Sequence, residues 1–162
     1  MKHILIFSSH APSLINFRLP LIKELLRKGN KVSVATTKYK FVDNLKNQLI
    51  YLGVNINIFS LSRSGLNFLQ DYKSYREMRT IIQNCKPDIV IAYTAKPVIY
   101  SGIILKKFPK IMYYPLITGL GYGFTADNSF RRIILKYLMI KLYQEGLKSA
   151  AKVIFQNKDD EN

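Results

Sequence analysis

Short apolar runs alternate along the chain with longer segments in which apolar residues recur every three or four positions. The short runs are rich in β-branched residues, as strands are, and the longer segments have helical spacing. This alternation is typical of βαβ units, so we expect an α/β fold: a Rossmann-like, doubly wound parallel sheet of about six strands, with helices on both faces. The predicted strands are residues 4–8, 31–36, 55–59, 88–93, 111–116 and 152–156.

The predicted helices are residues 17–28, 39–52, 69–85, 98–107 and 129–148. Gly29 stands where a glycine cap would end the first helix, and Pro87 and Pro109 mark the exits from later ones. No repeat and no linker rich in proline, glycine or serine divides the sequence. We therefore predict a single domain over residues 1–162.

The composition limits the classes of function. Apolar residues make up 48% of the chain, and Cys85 is the one cysteine, so neither a disulfide nor a Cys/His metal site is expected. No apolar run approaches the roughly 20 residues that span a bilayer, and residues 4–7 are too few for a signal peptide. We expect a cytoplasmic protein that needs no cofactor.

The charge is strongly positive. Lysine and arginine total 25 against 10 acidic residues, a net charge of +15, which attracts phosphates, nucleic acid or an acidic lipid surface without choosing among them. Residues 130–143 mix cations with apolar residues, as an interfacial helix does. Their cations do not share one helical face, which favours a sheet-covering helix instead.

Ligands of open parallel sheets bind beyond the carboxyl ends of the strands, so the loops there carry the candidate chemistry. The loop after the first strand contains Ser9 and His10 and lacks the glycine fingerprint of a dinucleotide site. His10 is a candidate general base or hydrogen-bond donor, or else a simple surface histidine. Arg18 could reach an anion bound at a helix start, or could be a solvated cation.

Two further loops are candidates. Lys96 follows the fourth strand directly before Pro97, a position that suits phosphate or sugar-oxygen binding but also an ordinary exposed lysine at a helix start. After the fifth strand, Thr118 leads into a loop with alternate glycines, which permit close backbone approach and an anion nest. The alternative there is a flexible connection. The candidate residues of this loop are Thr118, Gly119, Gly121, Tyr122 and Gly123, with Tyr122 able to stack on a sugar or an isoprenoid.

Five segments, in this order, resemble successive landmarks of bacterial family-four glycosyltransferases, above all those that extend lipid-linked glycans for capsule, O-antigen or protein glycosylation. They are LINFRLPLIKEL at residues 14–25, CKPDIV at 85–90, TAKP at 94–97, TGLG at 118–121 and FQNKDD at 155–160. The resemblance implies the GT-B fold, two Rossmann-like domains facing across a cleft, of which this sequence matches the N-terminal, acceptor-binding half. The donor-binding half, with its glutamate-containing motif, has no match here.

The resemblance also implies a reaction: retaining transfer of a sugar from a nucleotide diphosphate to an acceptor hydroxyl, without an obligatory metal. It implies that Ser9 and His10, Lys96 and the loop from Gly119 to Gly123 line the cleft. His10 would contact the reacting sugar, Lys96 an oxygen or phosphate, and the glycines would allow close approach by substrate. The implied partners are a polyprenyl-diphosphate-linked glycan and the anionic inner face of the cell membrane. The donor-binding half is implied to be either the rest of a longer chain, of which this sequence is a fragment, or a separate donor-binding polypeptide.

Two rival functions remain open at this point. A non-catalytic subunit that recruits a separate donor-binding chain to the membrane would have the same sequence features. A basic nucleic-acid-binding module would need a clustered basic face and a reader motif, and here the cations are spread along the chain. We therefore expect no nucleic acid partner.

Overall fold

The computed structural model describes residues 1–38, 42–62, 67–119 and 130–157. Strands and helices alternate through this part of the chain. The strands are β1 (His3–Phe7), β2 (Lys31–Thr37), β3 (Asn55–Phe59), β4 (Ile89–Tyr93), β5 (Met112–Ile117) and β6 (Ile154–Phe155). The helices are α1 (Ala11–Asn16), α2 (Leu19–Arg27), α3 (Val42–Tyr51), α4 (Phe68–Cys85), α5 (Ala95–Leu105) and α6 (Phe130–Leu147).

The six strands form one parallel sheet in the order β3-β2-β1-β4-β5-β6. The predicted α/β class and the six-stranded parallel sheet are confirmed. The chain builds outward from β1 through β2 to β3, then returns to the other side of β1 for β4. The order of strands therefore reverses between β1 and β4, and in open α/β sheets ligands bind in the crevice at that point.

Two apolar layers hold the sheet between its helices. On one face, Leu14 of α1, Ile22 of α2 and Leu49 of α3 pack against strand residues such as Ile6 and Val34. On the other face, α4, α5 and α6 cover side chains that include the fully buried Phe7 and Tyr113. Helices on both faces make the sheet doubly wound, as predicted.

The two faces of β5 are not buried to the same extent. Its inward residues Tyr113, Pro115 and Ile117 are buried, whereas Met112 is 41% exposed and Tyr114 and Leu116 are half-buried. We expected every strand to be covered on both faces. The described helices α1 to α3 pack over β1 to β3, so the face of β5 that carries Met112, Tyr114 and Leu116 is less covered.

The first predicted helix, residues 17–28, is two helices. Residues Phe17 and Arg18 separate α1 from α2, and each helix has a proline in its first turn, Pro12 in α1 and Pro20 in α2. Proline fits a first turn because the N–H that it lacks would be unpaired there. The prediction accepted Pro20 near a helix start but missed α1, which begins directly after the first loop.

Two other helix predictions differ in detail. The helix predicted at 98–107 begins at Ala95, so Lys96 and Pro97 lie inside its first turn and not before it. The helix predicted at 129–148 is confirmed as α6, whose Tyr143 and Gly146 are buried while Ile134 and Tyr137 are 53% and 63% exposed. In the described ranges, no helix is long and apolar enough to cross a membrane.

Candidate functional site

The carboxyl ends of β1, β2 and β4 meet where the strand order reverses. Polar side chains at these strand ends, among them Ser9, Thr37 and Thr94, form the edge of the sheet that we call the rim. Thr94, which follows β4, donates a hydrogen bond from its hydroxyl to the Ser9 hydroxyl after β1, at 2.8 Å. Thr37, at the end of β2, donates from its hydroxyl to the Ser9 carbonyl at 3.0 Å. Three strands separated in sequence therefore converge on Ser9, which is 7% exposed.

Thr94 has a strained backbone, with φ 70° and ψ 150°. A β-branched residue with positive φ is an outlier, and such strain costs on the order of 1–3 kcal/mol and concentrates at functional sites. The strain lies at the junction of β4 and α5, where the chain turns out of the sheet beside Ser9. Thr94 is thus a site residue that the sequence did not single out.

A network of hydroxyl groups fixes the loop after β1. The Ser8 hydroxyl accepts from the His10 N–H at 3.0 Å, and the Ser13 hydroxyl donates to the His10 carbonyl at 2.6 Å. Ser13 also hydrogen-bonds the Tyr93 hydroxyl at 2.9 Å, which links α1 to the end of β4. Hydrogen bonds to both the N–H and the carbonyl of His10 fix its backbone, and so fix the position from which its half-buried side chain extends.

Tyr93 stays a neutral hydroxyl group at physiological pH. Burial raises the pKa of Tyr93, and the hydrogen bonds with Ser13 and Ser8 and the charge of Arg18 only partly oppose this effect. The Tyr93 ring lies under the Arg18 guanidinium, whose carbon is 4.9 Å from the ring centroid. Tyr93 therefore serves the site as a neutral hydrogen-bonding group and as a platform for a cation.

Arg18 reaches across the rim, from the start of α2 to the other side of β4. Its Nη2 donates to the Gln156 side-chain oxygen at 3.0 Å, just beyond β6, and its buried Nε has no partner among the described residues. Arg18 directly precedes α2 and is half-buried, so it is not the freely solvated cation that was one of the two expectations. The other expectation, contact with an anion, stays a prediction.

Lys96 is held by a carboxylate. Its Nζ lies 2.7 Å from Asp71 Oδ1 of α4, and the two side chains are only 13% and 12% exposed. The second Asp71 oxygen accepts from the Asn67 N–H at 3.3 Å. Burial, and then the neighbouring Asp71 carboxylate, raise the pKa of Tyr100 far above its ordinary value. Because the Asp71 carboxylate already contacts the Lys96 ammonium, a phosphate that binds Lys96 must compete with Asp71.

Ala95 and Lys96 supply the backbone N–H groups of the first turn of α5, because Pro97 has none. Thr94 precedes the helix without forming a side-chain cap, and the first turn has no acidic residue. The first N–H groups of a helix have no partner within it, and the helix dipole favours a negative group there. This helix start lies beside Ser9 and Lys96, so hydroxyl, amide and ammonium groups share one end of the crevice.

The glycine-rich loop is described only at its beginning. Thr118 and Gly119 follow β5, which pairs with β4, so they lie at the same edge of the sheet as the rim. Gly119 has φ +129°, a conformation that other residues rarely adopt, and no atom lies within 4 Å of where a Cβ would be. The predicted residues Gly121, Tyr122 and Gly123 lie outside the described residues.

Metal and thiol chemistry have little support in the part of the chain that the structure describes. No three side chains of the types His, Cys, Asp and Glu come together there. Burial raises the pKa of the Cys85 thiol, which makes the reactive thiolate scarcer. The rim is therefore a site of hydroxyls, amides and cations, which suits a ligand with sugar hydroxyls and phosphate oxygens.

Sequence reasoning singled out Ser9, His10, Arg18 and Lys96 as candidates and did not identify their partners. Asp71 is 25 positions from Lys96, and Gln156 is 138 positions from Arg18, so no local pattern connects them. Tyr93 and Thr94 could have been noticed from their position at the end of a strand. The strain at Thr94, however, has no sequence signal.

Comparison with known proteins gives a consistent result. The model of the family described as glycosyl transferase 4-like matches residues 3–157. An N,N'-diacetylbacillosaminyl-diphospho-undecaprenol alpha-1,3-N-acetylgalactosaminyltransferase from Campylobacter jejuni is 28% identical over 156 residues. The match covers 95% of this chain and 40% of that protein, so the chain spans about two fifths of the relative's length.

Solved structures share the fold at lower sequence identity. MurG from Acinetobacter baumannii matches with a TM-score of 0.64 and 16% identity, over 98% of this chain and 42% of that one. A protein described as a UDP-N-acetylglucosamine 2-epimerase, from Listeria monocytogenes, matches with a TM-score of 0.62 and 14% identity, over 96% and 39%. Transferases and an epimerase share this architecture, so the fold alone does not decide the reaction.

Proposed function

The chain belongs to the glycosyl transferase 4-like family, and we propose that it forms the acceptor-binding half of a glycosyltransferase that extends a lipid-linked glycan. The observation that carries this proposal is the match over 95% of the chain to a transferase whose name specifies a diphospho-undecaprenol-linked acceptor. The Rossmann-like fold is that of the N-terminal half of GT-B glycosyltransferases.

The rim has the chemistry that such an acceptor needs. The acceptor's diphosphate would lie at the start of α5, where the Ala95 and Lys96 amides and Arg18 supply positive potential. Its sugar hydroxyls would contact Ser9, His10 and the Lys96 ammonium, which already holds one oxygen ligand in Asp71. Gly119 would allow the backbone to approach the sugar closely, since its φ is +129° and no atom lies within 4 Å of where a Cβ would be. Thr118, Gly121, Tyr122 and Gly123 stay candidate substrate contacts by resemblance to the family.

The complete reaction needs a nucleotide-sugar site, which we assign to a donor-binding half outside this chain. We propose retaining transfer without a metal, at the cytoplasmic face of the membrane, where lipid-linked acceptors are anchored. The net charge of +15 supports that location, because each cation near an anionic leaflet contributes about 1 kcal/mol of attraction.

Direct binding tests the acceptor role. The purified chain is titrated calorimetrically with a water-soluble, short-chain prenyl-diphospho-N-acetylhexosamine, then with the sugar-free prenyl diphosphate. We expect clear preference for the sugar-bearing ligand, and we expect Ser9→Ala to reduce that preference. Lys23→Met, which removes an exposed cation on α2, is the matched control for loss of charge. Equal affinity for both ligands would leave only generic attraction to diphosphate and refute the proposal.

The Lys96 assignment needs its own test, because the ion pair with Asp71 could be purely structural. If Lys96 contacts the acceptor, Lys96→Met weakens binding about tenfold or more, as loss of a charge-assisted hydrogen bond does, in both the wild-type and Asp71→Asn backgrounds. If the pair only joins α4 to α5, Lys96→Met lowers the free energy of unfolding and leaves the affinity of the folded protein unchanged. The second result would remove Lys96 from the site.

A further inference from the structure

A small apolar cavity lies beside the rim, between helices α1 and α3 and the ends of β2 and β3. Its volume is about 20 Å³, which is room for one group about the size of a water molecule or a methyl. A buried water needs several polar partners, so an almost wholly apolar wall favours the methyl. The apolar residues of the wall are Ala11, Leu14, Leu49, Ile56 and Ile58. Ile58 is 49% exposed, so the cavity opens toward solvent on that side.

Thr36 also lines the cavity, and its hydroxyl has no hydrogen-bond partner among the described residues. The residue is 3% exposed and shares a face of β2 with Val34, which packs against α1 and α3. A buried hydroxyl without a hydrogen bond destabilises a fold, so its presence calls for an explanation. A carbonyl oxygen bound in the cavity would accept from this hydroxyl and remove the cost.

The cavity adjoins the part of the rim where the acceptor sugar would bind. Thr37 lines the cavity and donates from its hydroxyl to the Ser9 carbonyl at 3.0 Å. Ala11, another lining residue, directly follows His10 in the chain. A sugar that contacts Ser9 and His10 would therefore have a substituent within reach of the cavity.

We propose that this cavity binds the acyl group of an acceptor sugar that carries an acetamido substituent. The acetyl methyl would pack against the apolar wall, and the Thr36 hydroxyl would donate to the acyl carbonyl oxygen. The methyl of a deoxy sugar would leave that hydroxyl unpaired, and a sugar hydroxyl would not fill the apolar wall, so an acyl group matches both features. The inference rests on the proposed function, because it assigns a substituent to the acceptor that the rim would bind.

The stability of Thr36→Val tests the unpaired hydroxyl without any ligand. Valine keeps the shape of threonine and removes a hydroxyl that bonds nothing in the described structure, so the urea midpoint should equal or exceed that of the wild type. Thr37→Val is the matched control, because it loses the hydrogen bond to Ser9 and its midpoint should fall. A midpoint of Thr36→Val below the wild type would mean that the hydroxyl is paired in the fold, and would overturn the inference.

Ligands that differ only in the acyl group test the size of the cavity. The chain is titrated calorimetrically with short-chain prenyl-diphospho-glucosamine that carries a formyl, acetyl or propanoyl group on nitrogen. The acetyl ligand should bind about fourfold more tightly than the formyl ligand, which lacks the methyl, and more tightly than the propanoyl ligand, which is too large. Equal affinities for the three ligands would refute the assignment.

A change in the wall should change this preference. Ile56→Val removes one methyl from the wall and should reduce the discrimination against the propanoyl ligand. Ile4→Val removes the same methyl from the same apolar layer, outside the wall, and should leave the preference unchanged. If the two variants have the same preference as each other, the cavity does not select the acyl group.

A free sugar separates this inference from the acceptor proposal. In saturation-transfer NMR with N-acetylglucosamine and no lipid, the acetyl methyl protons should receive the strongest saturation, because they would lie among protein methyl groups. Thr36→Val should weaken binding of this sugar about fivefold, as loss of one hydrogen bond does, whereas Thr80→Val, which removes an exposed hydroxyl on α4, should not.

The two experiments together decide between the proposals. If the acetyl signal is strong but the lipid-linked sugar binds no better than prenyl diphosphate, the acceptor proposal is wrong and the cavity assignment stands. If the lipid-linked sugar is preferred whatever its acyl group, the acceptor proposal stands and the cavity assignment is wrong. Loss of both effects refutes both.

Discussion

At the scale of single residues, the site depends on groups held in unfavourable or tightly paired states. Thr94 keeps a positive φ, and its hydroxyl bonds Ser9, so the turn from β4 into α5 is fixed in one geometry. Arg18 lies over Tyr93 with its Nε unpartnered among the described residues. Such arrangements lower stability, and they persist where the surrounding fold over-determines them.

Substitutions of Thr94 should separate strain from hydrogen bonding. Glycine accepts φ 70° without strain but loses the hydroxyl, so Thr94→Gly should remain within about 1 kcal/mol of the wild type in free energy of unfolding. Thr94→Val keeps the β-branch and loses the hydrogen bond to Ser9, and should cost about 1–2 kcal/mol. Urea denaturation measures both. A larger loss for glycine than for valine would show that the backbone at Thr94 is not strained.

Asp88 makes the stability depend on acid. Its carboxylate accepts from the His3 N–H at 2.7 Å, and this bond, helped by the charge of Lys2, lowers the pKa of Asp88. A lowered folded-state pKa contributes stability above the unfolded pKa of about 4, and that contribution is lost as the pH falls through the folded value. The stability advantage of the wild type over Asp88→Asn should therefore be largest near pH 6.

Urea midpoints of the two proteins at pH 6, 4.5 and 3 check this expectation. The difference between wild type and Asp88→Asn should shrink as the pH falls, because protonation removes the carboxylate that His3 bonds. Parallel curves for the two proteins over the whole range would contradict the role given to Asp88.

At the scale of elements, α5 is central to the packing. It buries seven of its residues, contacts α4, α6 and three strands, and receives the Tyr113 hydroxyl on its Val98 carbonyl at 2.7 Å. It crosses α6 closely at Gly102 and Gly146, and the Ser149 hydroxyl donates to the Gly102 carbonyl at 2.8 Å. These contacts hold α5, and with it the helix start beside Ser9, firmly against the sheet and α6.

The crossing of α5 and α6 leaves no room at Gly102. A Cβ there would lie 1.7 Å from the Gly146 carbonyl oxygen, a backbone atom that cannot move aside alone. Gly102→Ala should lower the free energy of unfolding by about 3 kcal/mol, at the upper end of overpacking effects. Ser101→Ala is the matched control, because the buried Ser101 hydroxyl has no partner among the described residues, and its removal should cost almost nothing. Equal effects in urea denaturation would refute the close crossing.

For the molecule as a whole, positive charge greatly exceeds negative charge. The net charge is +15, and the ion pairs described at the surface, such as Arg27 with Glu24, are largely exposed and therefore contribute little to stability. Self-repulsion therefore outweighs these pairs. The same excess of positive charge draws the protein toward anionic surfaces.

Salt should stabilise the chain. Raising the salt concentration from about 10 mM to about 150 mM shortens the Debye length from roughly 30 Å to roughly 8 Å and screens the repulsion among its cations. We expect the melting temperature to rise by about 2–4 °C, which corresponds to roughly 1 kcal/mol for a chain of this size. Thermal melts followed by circular dichroism in sodium chloride measure the change. A falling melting temperature would mean that ion pairs outweigh the repulsion.

Local sequence patterns were enough to predict the alternation of elements, the parallel six-stranded sheet and the edge of the sheet at which the candidate site lies. These features follow from local periodicity, because apolar spacing and the ends of strands can be recognised within short windows. The resemblance to family-four glycosyltransferases was confirmed by the match over residues 3–157. Ser9, His10, Arg18 and Lys96 were found because each follows a strand or begins a helix in the printed sequence. Their roles toward an acceptor remain predictions.

The pairing of those residues depends on how the helices and strands pack together. Asp71 reaches Lys96 because α4 and α5 pack side by side, and Gln156 reaches Arg18 because β6 joins the sheet beyond β5. The positive φ of Thr94 is imposed by the junction it closes, against the preference of its own side chain. Phe68 and Leu69 are 80% and 85% exposed because the core covers the opposite face of α4, where Met78 and Ile82 are buried. Pairing, strain and exposure depend on contacts distant in sequence, and local patterns do not encode them.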